Sequence, residues 1–194
     1  MSYIGQSIKV STNNVQLHLI NGRNNLFASW ETEKYEYRIY HDSAGSSNIG
    51  FNISTEEISK VDHPFIMKKV NSMDTALLIA SQSLGKEFGN TTFWRGRPDI
   101  IVEVYSKVTR LLSKVIIGEV KNTKNIDYAI TGLRELVEYI ELVKGKDGCY
   151  LKETDIEVEG MLFLGNIAVK NVETEHINIQ SLSHKNMVKL NISL

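Results

Sequence analysis

RPDIIVEVYSKVTRLLSKVIIGEVK, residues 97–121, contains two runs rich in Ile and Val, separated by a polar patch at residues 107–110. Such runs are typical of β-strands, and their closeness predicts an antiparallel hairpin. The midpoint between Asp99 and Glu119 is residue 109, which lies inside the polar patch. A hairpin that turns there places Asp99 directly opposite Glu119, because the position of the turn sets the register.

The predicted register gathers three functional side chains on one face of the hairpin. Directly opposed residues have Cβ atoms roughly 5 Å apart, and strand alternation puts Lys121 on the face of Glu119 while Val120 points away. Two carboxylates so close repel each other unless a cation lies between them, and Mg²⁺ or Mn²⁺ prefers such oxygen ligands. The cation would polarise a phosphoryl oxygen and acidify a water, which Lys121 could hold or help to deprotonate. The pattern therefore predicts metal-assisted hydrolysis of phosphodiester bonds.

A plainer interpretation of the same residues stays open. An acid-x-Lys triplet is a weak signal by itself, and the chain contains one. Asp99 could be a turn residue, and Glu119 and Lys121 an exposed ion pair, which contributes little to stability. The placement favours a site, because the triplet ends an apolar strand and lies twenty residues after Asp99.

The rest of the chain is predicted to be α/β. Polar, turn-prone segments separate short apolar runs in the first fifty residues, which we expect to form an antiparallel β extension over residues 1–53. Residues 54–194 would form the main domain, with a helix capped by Ser54 or Thr55 and a helix at 65–84. The remaining strands are predicted at 92–105, 111–119, 160–167, 176–182 and 187–194.

A second helix is predicted from Asp127 to Val143. Its expected buried stripe has apolar residues at spacings of four and three, as on one face of a helix. The members of this stripe are Ile126, Ile130, Leu133, Val137 and Ile140.

Pro98-Asp99 and Glu119-Val120-Lys121 resemble the two motifs of the PD-(D/E)xK nuclease superfamily. This group has the restriction-endonuclease-like fold and includes restriction enzymes, archaeal Holliday-junction resolvases and RecB-type exonucleases. The resemblance covers about residues 65–170. It implies a mixed sheet flanked by helices in an αβββαβ core. It also implies that Asp99, Glu119 and the carbonyl of Val120 bind the metal and that Lys121 is the catalytic lysine.

Two further features of that superfamily are less complete in this chain. Many members add an acid from the preceding helix, for which Asp74 is the first choice, followed by Glu87 and Glu57. RecB-like members often carry Gln-x-x-x-Tyr on the following helix, where this chain has Glu135 and Tyr139. The Gln is replaced by an acid, and Tyr139 lies beside the apolar stripe, where packing is its expected role.

The charge distribution suits an anionic substrate more than the net charge does. The formal net charge is −1, whereas residues 86–124 contain eight bases and four acids. Arg95, Arg97 and Lys124 could bind backbone phosphates, and Trp94 could stack on a base or lie in the core. Uneven charge is also common on ordinary solvated surfaces.

The predicted function is a Mg²⁺- or Mn²⁺-dependent deoxyribonuclease, expected to be an endonuclease. DNA is the expected partner, with RNA as the alternative substrate. The alternatives are a catalytically inactive nucleic-acid-binding or assembly module on the same fold, or the nuclease subunit of a larger complex. A homodimer is also open.

The composition excludes several other classes of protein. A single cysteine, Cys149, cannot form an internal disulfide, and the five histidines form no zinc-type motif with it. The N-terminus lacks the pattern of a secretory signal, and no apolar stretch approaches the ~18 residues of a membrane span. We therefore expect a soluble cytoplasmic protein that does not bind membranes.

Overall fold

The computed structural model describes residues 14–18, 25–58, 60, 92–165, 167 and 176–181, together with the single positions 68, 71, 75 and 82. Strands and α-helices follow one another along these residues, with a 3₁₀ helix at Leu151–Glu153. In chain order they are β1 (Gln16–Leu17), β2 (Leu26–Glu31), β3 (Tyr35–His41), β4 (Ile49–Gly50), β5 (Asn52–Ser54), α1 (Thr55–Ile58), β6 (Thr92–Arg95), β7 (Ile100–Ser106), β8 (Leu112–Asn122), α2 (Ile126–Leu142), β9 (Lys144–Gly145), β10 (Glu157–Gly165) and β11 (Ile177–Ser181).

Seven of these strands form a mixed sheet in the order β1-β2-β3-β7-β8-β10-β11. Neighbours are antiparallel from β1 to β8 and parallel from β8 to β11. Helix α2 connects the parallel neighbours β8 and β10, as a parallel pair requires a crossover. The α/β class predicted from the sequence is confirmed at this level.

The N-terminal strands continue the central sheet, which differs from the predicted separate extension. β3 pairs along its whole length with β7, from Tyr35 opposite Ser106 to His41 opposite Ile100. The hairpin with β8 uses only one edge of β7, so its other edge is open for β3. The chain divides instead into one compact unit that joins residues up to Gly50 with those from Arg97 onward, and a second that spans Phe51–Gly96.

The hairpin of β7 and β8 has the predicted register from Ile100 to Val104, and the register shifts between Val104 and Tyr105. Ile101 pairs with Ile117, and Ile100 pairs with Gly118. The turn is closed where the Arg110 N–H donates to the Ser106 carbonyl at 2.8 Å. The strand predicted over 92–105 is interrupted, because β6 ends before the segment that contains Pro98, which has no N–H for a ladder.

The face that α2 buries is not the predicted one. Ile126, Ile130 and Val137 are 65%, 54% and 40% exposed, and of the predicted stripe only Ile140 is fully buried. The buried positions are Ala129, Gly132, Leu136 and Ile140. A Cβ on Gly160 of β10 would lie 2.7 Å from Ile140 Cδ1 and 3.1 Å from Leu136. Small residues let α2 approach the sheet closely. The face that contains them is therefore buried, although the next face carries larger apolar side chains.

The second unit is described in part. β5 pairs with β6, and α1 begins with a capping box: the Glu57 N–H donates to Ser54 Oγ at 3.1 Å, and the Ser54 N–H donates to Glu57 Oε2 at 2.9 Å. The sequence left Ser54 and Thr55 as alternative caps, and the structure identifies Ser54 as the cap. The four described positions between 68 and 82 are helical, whereas most of the helix predicted at 65–84 and the strand predicted at 187–194 lie outside the described residues.

The face of the sheet opposite α2 carries an apolar cluster. Its buried members are Ala28, Trp30, Tyr37, Ile39, Ile100, Val104 and Phe163. The rings of Trp30 and Tyr37 stack with their centroids 4.7 Å apart. Each large side chain buried here contributes about 1.5–3 kcal/mol to stability. Among the described residues, no helix is both long enough and apolar enough to span a membrane.

Candidate functional site

Asp99 is fixed at the start of β7 by contacts on both sides. Its Oδ2 accepts a hydrogen bond from the Val120 N–H at 2.8 Å. Its carbonyl accepts from the Asp42 N–H at 2.9 Å. The β7–β8 ladder ends at the pair of Ile100 with Gly118, and extending its register by one residue places Asp99 opposite Glu119. Besides burial, the charge of Asp99 raises the pKa of Glu119, as expected for two neighbouring carboxyl groups. The structure therefore brings together the two carboxylates that the sequence predicted.

Glu119 is buried and only half satisfied. The residue is 4% exposed, and its Oε1 accepts from the Lys121 ammonium at 2.7 Å. Its Oε2 is buried without a hydrogen-bond partner. A buried polar atom without a partner typically costs about 1–3 kcal/mol, so this oxygen marks a place where a ligand would be favourable.

Lys121 lies between two acids from different elements. Its Nζ is 2.7 Å from Glu119 Oε1 on β8 and 2.8 Å from Glu135 Oε2 on α2. It also lies 5.4 Å from the centroid of the Tyr128 ring, within range of a cation–π interaction. The predicted exposed ion pair is therefore not what forms, because Lys121 is 9% exposed.

Gly132 is a part of the site that the sequence argument missed. A Cβ at this position would lie 2.6 Å from Lys121 Cγ and 2.7 Å from Lys121 Cε. The lysine stem therefore crosses α2 where the helix has no side chain. A glycine inside an amphipathic helix costs about 1 kcal/mol relative to alanine. An unfavourable residue at this position is the feature of the sequence that could have indicated a close contact here.

The burial of the site shifts the pKa values of its groups. Burial raises the pKa of Glu119 to about 7, and the charge of Asp99 adds to the rise, although the Lys121 hydrogen bond lowers it. Burial alone would lower the pKa of Lys121, but its hydrogen bonds to Glu119 and Glu135 outweigh this and raise it. Burial, with the charges of Glu119 and Glu135, raises the pKa of Tyr139 to about 12. Lys121 therefore stays charged, and Tyr139 is a neutral phenol beside the site.

The raised pKa of Glu119 predicts a specific pH dependence of stability. The carboxyl ionises near 4.5 when unfolded and at about 7 when folded, so between these values the folded state binds more protons. The cost of ionising Glu119 is absent below about 4.5 and complete above about 7. Relative to Glu119→Gln, the wild-type free energy of unfolding should fall by about 2–3 kcal/mol between pH 4.5 and pH 8 without added metal.

Urea denaturation at the two pH values measures this difference. Glu138→Gln, a change at an exposed position of α2, serves as the control and should track the wild type. A difference between wild type and Glu119→Gln that stays constant with pH would contradict the burial argument.

The donor set fits a small divalent cation. Asp99 and Glu119 supply carboxylate oxygens, one of them without a partner, and the carbonyl of Val120 lies between Glu119 and Lys121 in the chain. Hard oxygen ligands of this kind suit Mg²⁺ or Mn²⁺. Within the described ranges, no group of three or more His, Cys, Asp or Glu residues could hold a metal. These protein ligands would therefore be supplemented by waters.

The predicted additional acid is not supplied by the residues described. Asp74 and Glu87 lie outside the described residues. Glu57 belongs to the second compact unit, where it closes the capping box with Ser54. Glu135 contacts Lys121, and thus the acid at the Gln position of the Gln-x-x-x-Tyr pattern does belong to the site.

The predicted phosphate-binding residues fall into two groups. Arg97 is paired with Asp42, whose Oδ1 is 2.6 Å from Arg97 Nε. Arg95 and Lys124 are exposed, and Arg95 and the half-buried Trp94 belong to β6 in the second unit. Several bases of the 86–124 segment have acidic partners, which lowers the local positive charge that the sequence suggested; they are Arg97, Lys107, Lys114 and Lys121.

Glu103, on β7, belongs to a separate hydrogen-bond network. It is 0% exposed and accepts from the Ser46 hydroxyl and, at 2.5 Å, from the Tyr105 hydroxyl. Asn48 Nδ2 donates to the Tyr105 hydroxyl at 2.6 Å. These contacts tie the segment containing Ser46 and Asn48 to β7, and none of them involves Asp99 or Glu119.

No protein-family model, curated protein or solved structure matches this chain. The geometry of Asp99, Glu119 and Lys121 is therefore the main evidence on the function of this chain.

Proposed function

We propose that this protein is a Mg²⁺-dependent nuclease of the restriction-endonuclease-like type that hydrolyses phosphodiester bonds of DNA. The observation that carries the proposal is the unpartnered, buried Oε2 of Glu119, next to Asp99 in register and close to the Lys121 ammonium. An ordinary ion pair does not account for a buried carboxylate oxygen without a partner, because such an atom is costly. A bound cation would compensate this cost by contacting that oxygen.

Each residue has a role that follows from its contacts. The Val120 N–H holds Asp99 through Oδ2, which orients the carboxylate toward β8. Glu119 contributes a ligand oxygen whose desolvation has already occurred on folding. When bound, the cation would supply an activated water and polarise a phosphoryl oxygen.

Lys121 acts in this proposal as a fixed positive charge. Its contacts with two carboxylates raise its pKa, which disfavours the neutral amine that a general base requires. The ammonium can orient the attacking water and neutralise the charge that develops on the phosphate in the transition state. This favours one of the two roles that the sequence left open.

Two features support DNA as the substrate: exposed bases that could bind phosphate oxygens, and the resemblance to nuclease motifs. The exposed bases Arg95 and Lys124 are available for phosphate oxygens. The resemblance of Pro98-Asp99 and Glu119-Val120-Lys121 to nuclease motifs points the same way, toward a deoxyribonuclease.

The proposal is tested by Mn²⁺ titration in a calorimeter, followed by Mg²⁺-dependent cleavage of plasmid and branched DNA. The wild type should bind Mn²⁺ and cleave, and chelator should stop cleavage. Asp99→Ala and Glu119→Gln should lose both properties while circular dichroism stays unchanged. Asp155→Ala, which removes an exposed acid, is the matched control. Cleavage by Asp99→Ala at the wild-type rate would refute the assignment.

A non-catalytic nucleic-acid-binding module is the second candidate. It is favoured by the absence, among the described residues, of a three-acid metal cluster and by the acidic partners of several bases. In the same experiments this module would bind DNA, with or without Mn²⁺, and leave it intact.

A further inference from the structure

We infer that Glu135 is the positioning residue of Lys121, setting the direction of its ammonium at the proposed cation site. This inference rests on the proposed function and adds a residue from α2 to a site otherwise built from β7 and β8. The geometry that carries it is the double contact of Lys121 Nζ, 2.7 Å from Glu119 Oε1 and 2.8 Å from Glu135 Oε2.

The ammonium of a lysine has three N–H donors on a flexible stem. A contact to Glu119 alone would leave the other two donors free to rotate about that hydrogen bond. The second contact, to Glu135, removes this rotation, because the two acceptors belong to different elements. The direction of the third donor then follows from the first two.

The approach of α2 to β8 makes this contact possible. Gly132 lies one helical turn before Glu135, and the Lys121 stem occupies the space that a Cβ would fill there. The stem of Lys121 therefore packs against the backbone of α2 at Gly132, and its ammonium contacts Glu135 one helical turn further along the same helix. The side chain of Glu135 remains 39% exposed to solvent, whereas that of Glu119 is 6% exposed.

The carboxylates of Glu119 and Glu135 therefore have different roles around Lys121. Glu119 has one oxygen on the ammonium and one oxygen without a partner. Because Glu135 also holds the ammonium, Glu119 is not its only acceptor, and Lys121 keeps a carboxylate partner if Glu119 shifts toward a cation. Loss of Glu135 would leave the orientation of Lys121 to Glu119 alone.

The test compares Glu135→Ala with Glu135→Gln in the full chain. Both changes remove the same negative charge, but only Gln keeps an acceptor for Lys121. Loss of a hydrogen bond to a charged group, if it is needed in the transition state, lowers the reaction rate by a factor of about 10–100. We therefore expect kcat for DNA cleavage to fall about tenfold or more in Glu135→Ala and to stay within about threefold of wild type in Glu135→Gln, with KM little changed in both.

A second measurement needs neither metal nor activity. In ¹⁵N-lysine-labelled protein, the Lys121 ammonium should give a slowly exchanging NMR signal in the wild type and in Glu135→Gln, assigned by its loss in Lys121→Met. The signal should broaden or vanish in Glu135→Ala. Glu138→Ala, which removes an exposed acid from the same helix, should leave the signal and kcat unchanged.

Gly132→Ala provides an independent variant with Glu135 intact. The new Cβ would displace the Lys121 stem, so kcat should fall and the ammonium signal should shift. Equal behaviour of Glu135→Ala and Glu135→Gln, or an unchanged ammonium signal in Glu135→Ala, would overturn the inference. If the wild type bound no Mn²⁺ and cleaved no DNA, the proposed function would fail, whereas the NMR comparison would still decide whether Glu135 positions Lys121.

Discussion

Replacing Lys121 by Met is expected to lower kcat for DNA cleavage by about 10²–10³-fold, the typical effect of removing one preorganised donor to a developing charge. Methionine keeps an unbranched stem that can lie across Gly132, so the packing of α2 on β8 is retained. Mn²⁺ affinity should not fall, because Asp99 and Glu119 remain and the competing ammonium is gone. Kinetics under saturating Mg²⁺ and calorimetry with Mn²⁺ measure the two effects.

The control for this change is Lys146→Met, which removes a lysine from an exposed turn. It should cleave at the wild-type rate and unfold at the wild-type temperature. Lys121→Met retaining more than a tenth of the wild-type kcat would argue that the ammonium takes no part in the reaction. A simultaneous loss of Mn²⁺ binding and of cooperative unfolding would instead identify Lys121 as a structural residue.

Replacing Glu103 by Ala should produce the largest loss of stability among the changes considered. The carboxylate is fully buried and accepts hydrogen bonds on both oxygens from Ser46 and Tyr105. Its removal leaves the hydroxyls of the half-buried Ser46 and Tyr105 without their acceptor and a cavity beside β7. We expect the free energy of unfolding to fall by about 3–5 kcal/mol. Urea denaturation monitored by tryptophan fluorescence measures it.

The comparison with Glu103→Gln separates the hydrogen bonds from the volume of the side chain. Glutamine fills the same space and keeps one acceptor oxygen, so its cost should be about 1–2 kcal/mol. Glu33→Ala, at an exposed turn position, should change stability by less than about 0.5 kcal/mol. If Glu103→Ala cost no more than Glu33→Ala, the network would contribute nothing to stability.

These two predictions concern residues that the sequence treated differently. The midpoint between Asp99 and Glu119 falls in the polar patch at residues 107–110, which predicts the pairing of Ile101 with Ile117, and the observed pairing confirms this register. Strand alternation places Glu103 on the face of Asp99, but four residues of strand separate the two by about 13 Å, too far for them to share a metal. Ser46, a partner of Glu103, and Asn48, which donates to the Tyr105 hydroxyl of the same network, lie more than fifty residues earlier in the chain.

Hydrophobic spacing alone does not identify the face of α2 that is buried. Two stripes with helical spacing lie side by side on this helix, and the one with the larger apolar residues is largely exposed. The buried stripe contains Ala129 and Gly132, which a hydrophobic pattern ranks low. Close approach to β8 and β10 is possible only at such small residues, and no local rule states where another element will come close.

The sequence by itself determined the β7–β8 hairpin, its register and therefore the convergence of Asp99, Glu119 and Lys121, because these depend on short-range alternation and on the place of one turn. Only the tertiary structure decided that β3 extends the sheet, that α2 turns Gly132 toward the sheet, and that Glu135 reaches Lys121. These features depend on which elements meet in space. That outcome is set by side-chain volume and by open sheet edges far apart in the chain, which local periodicity does not encode.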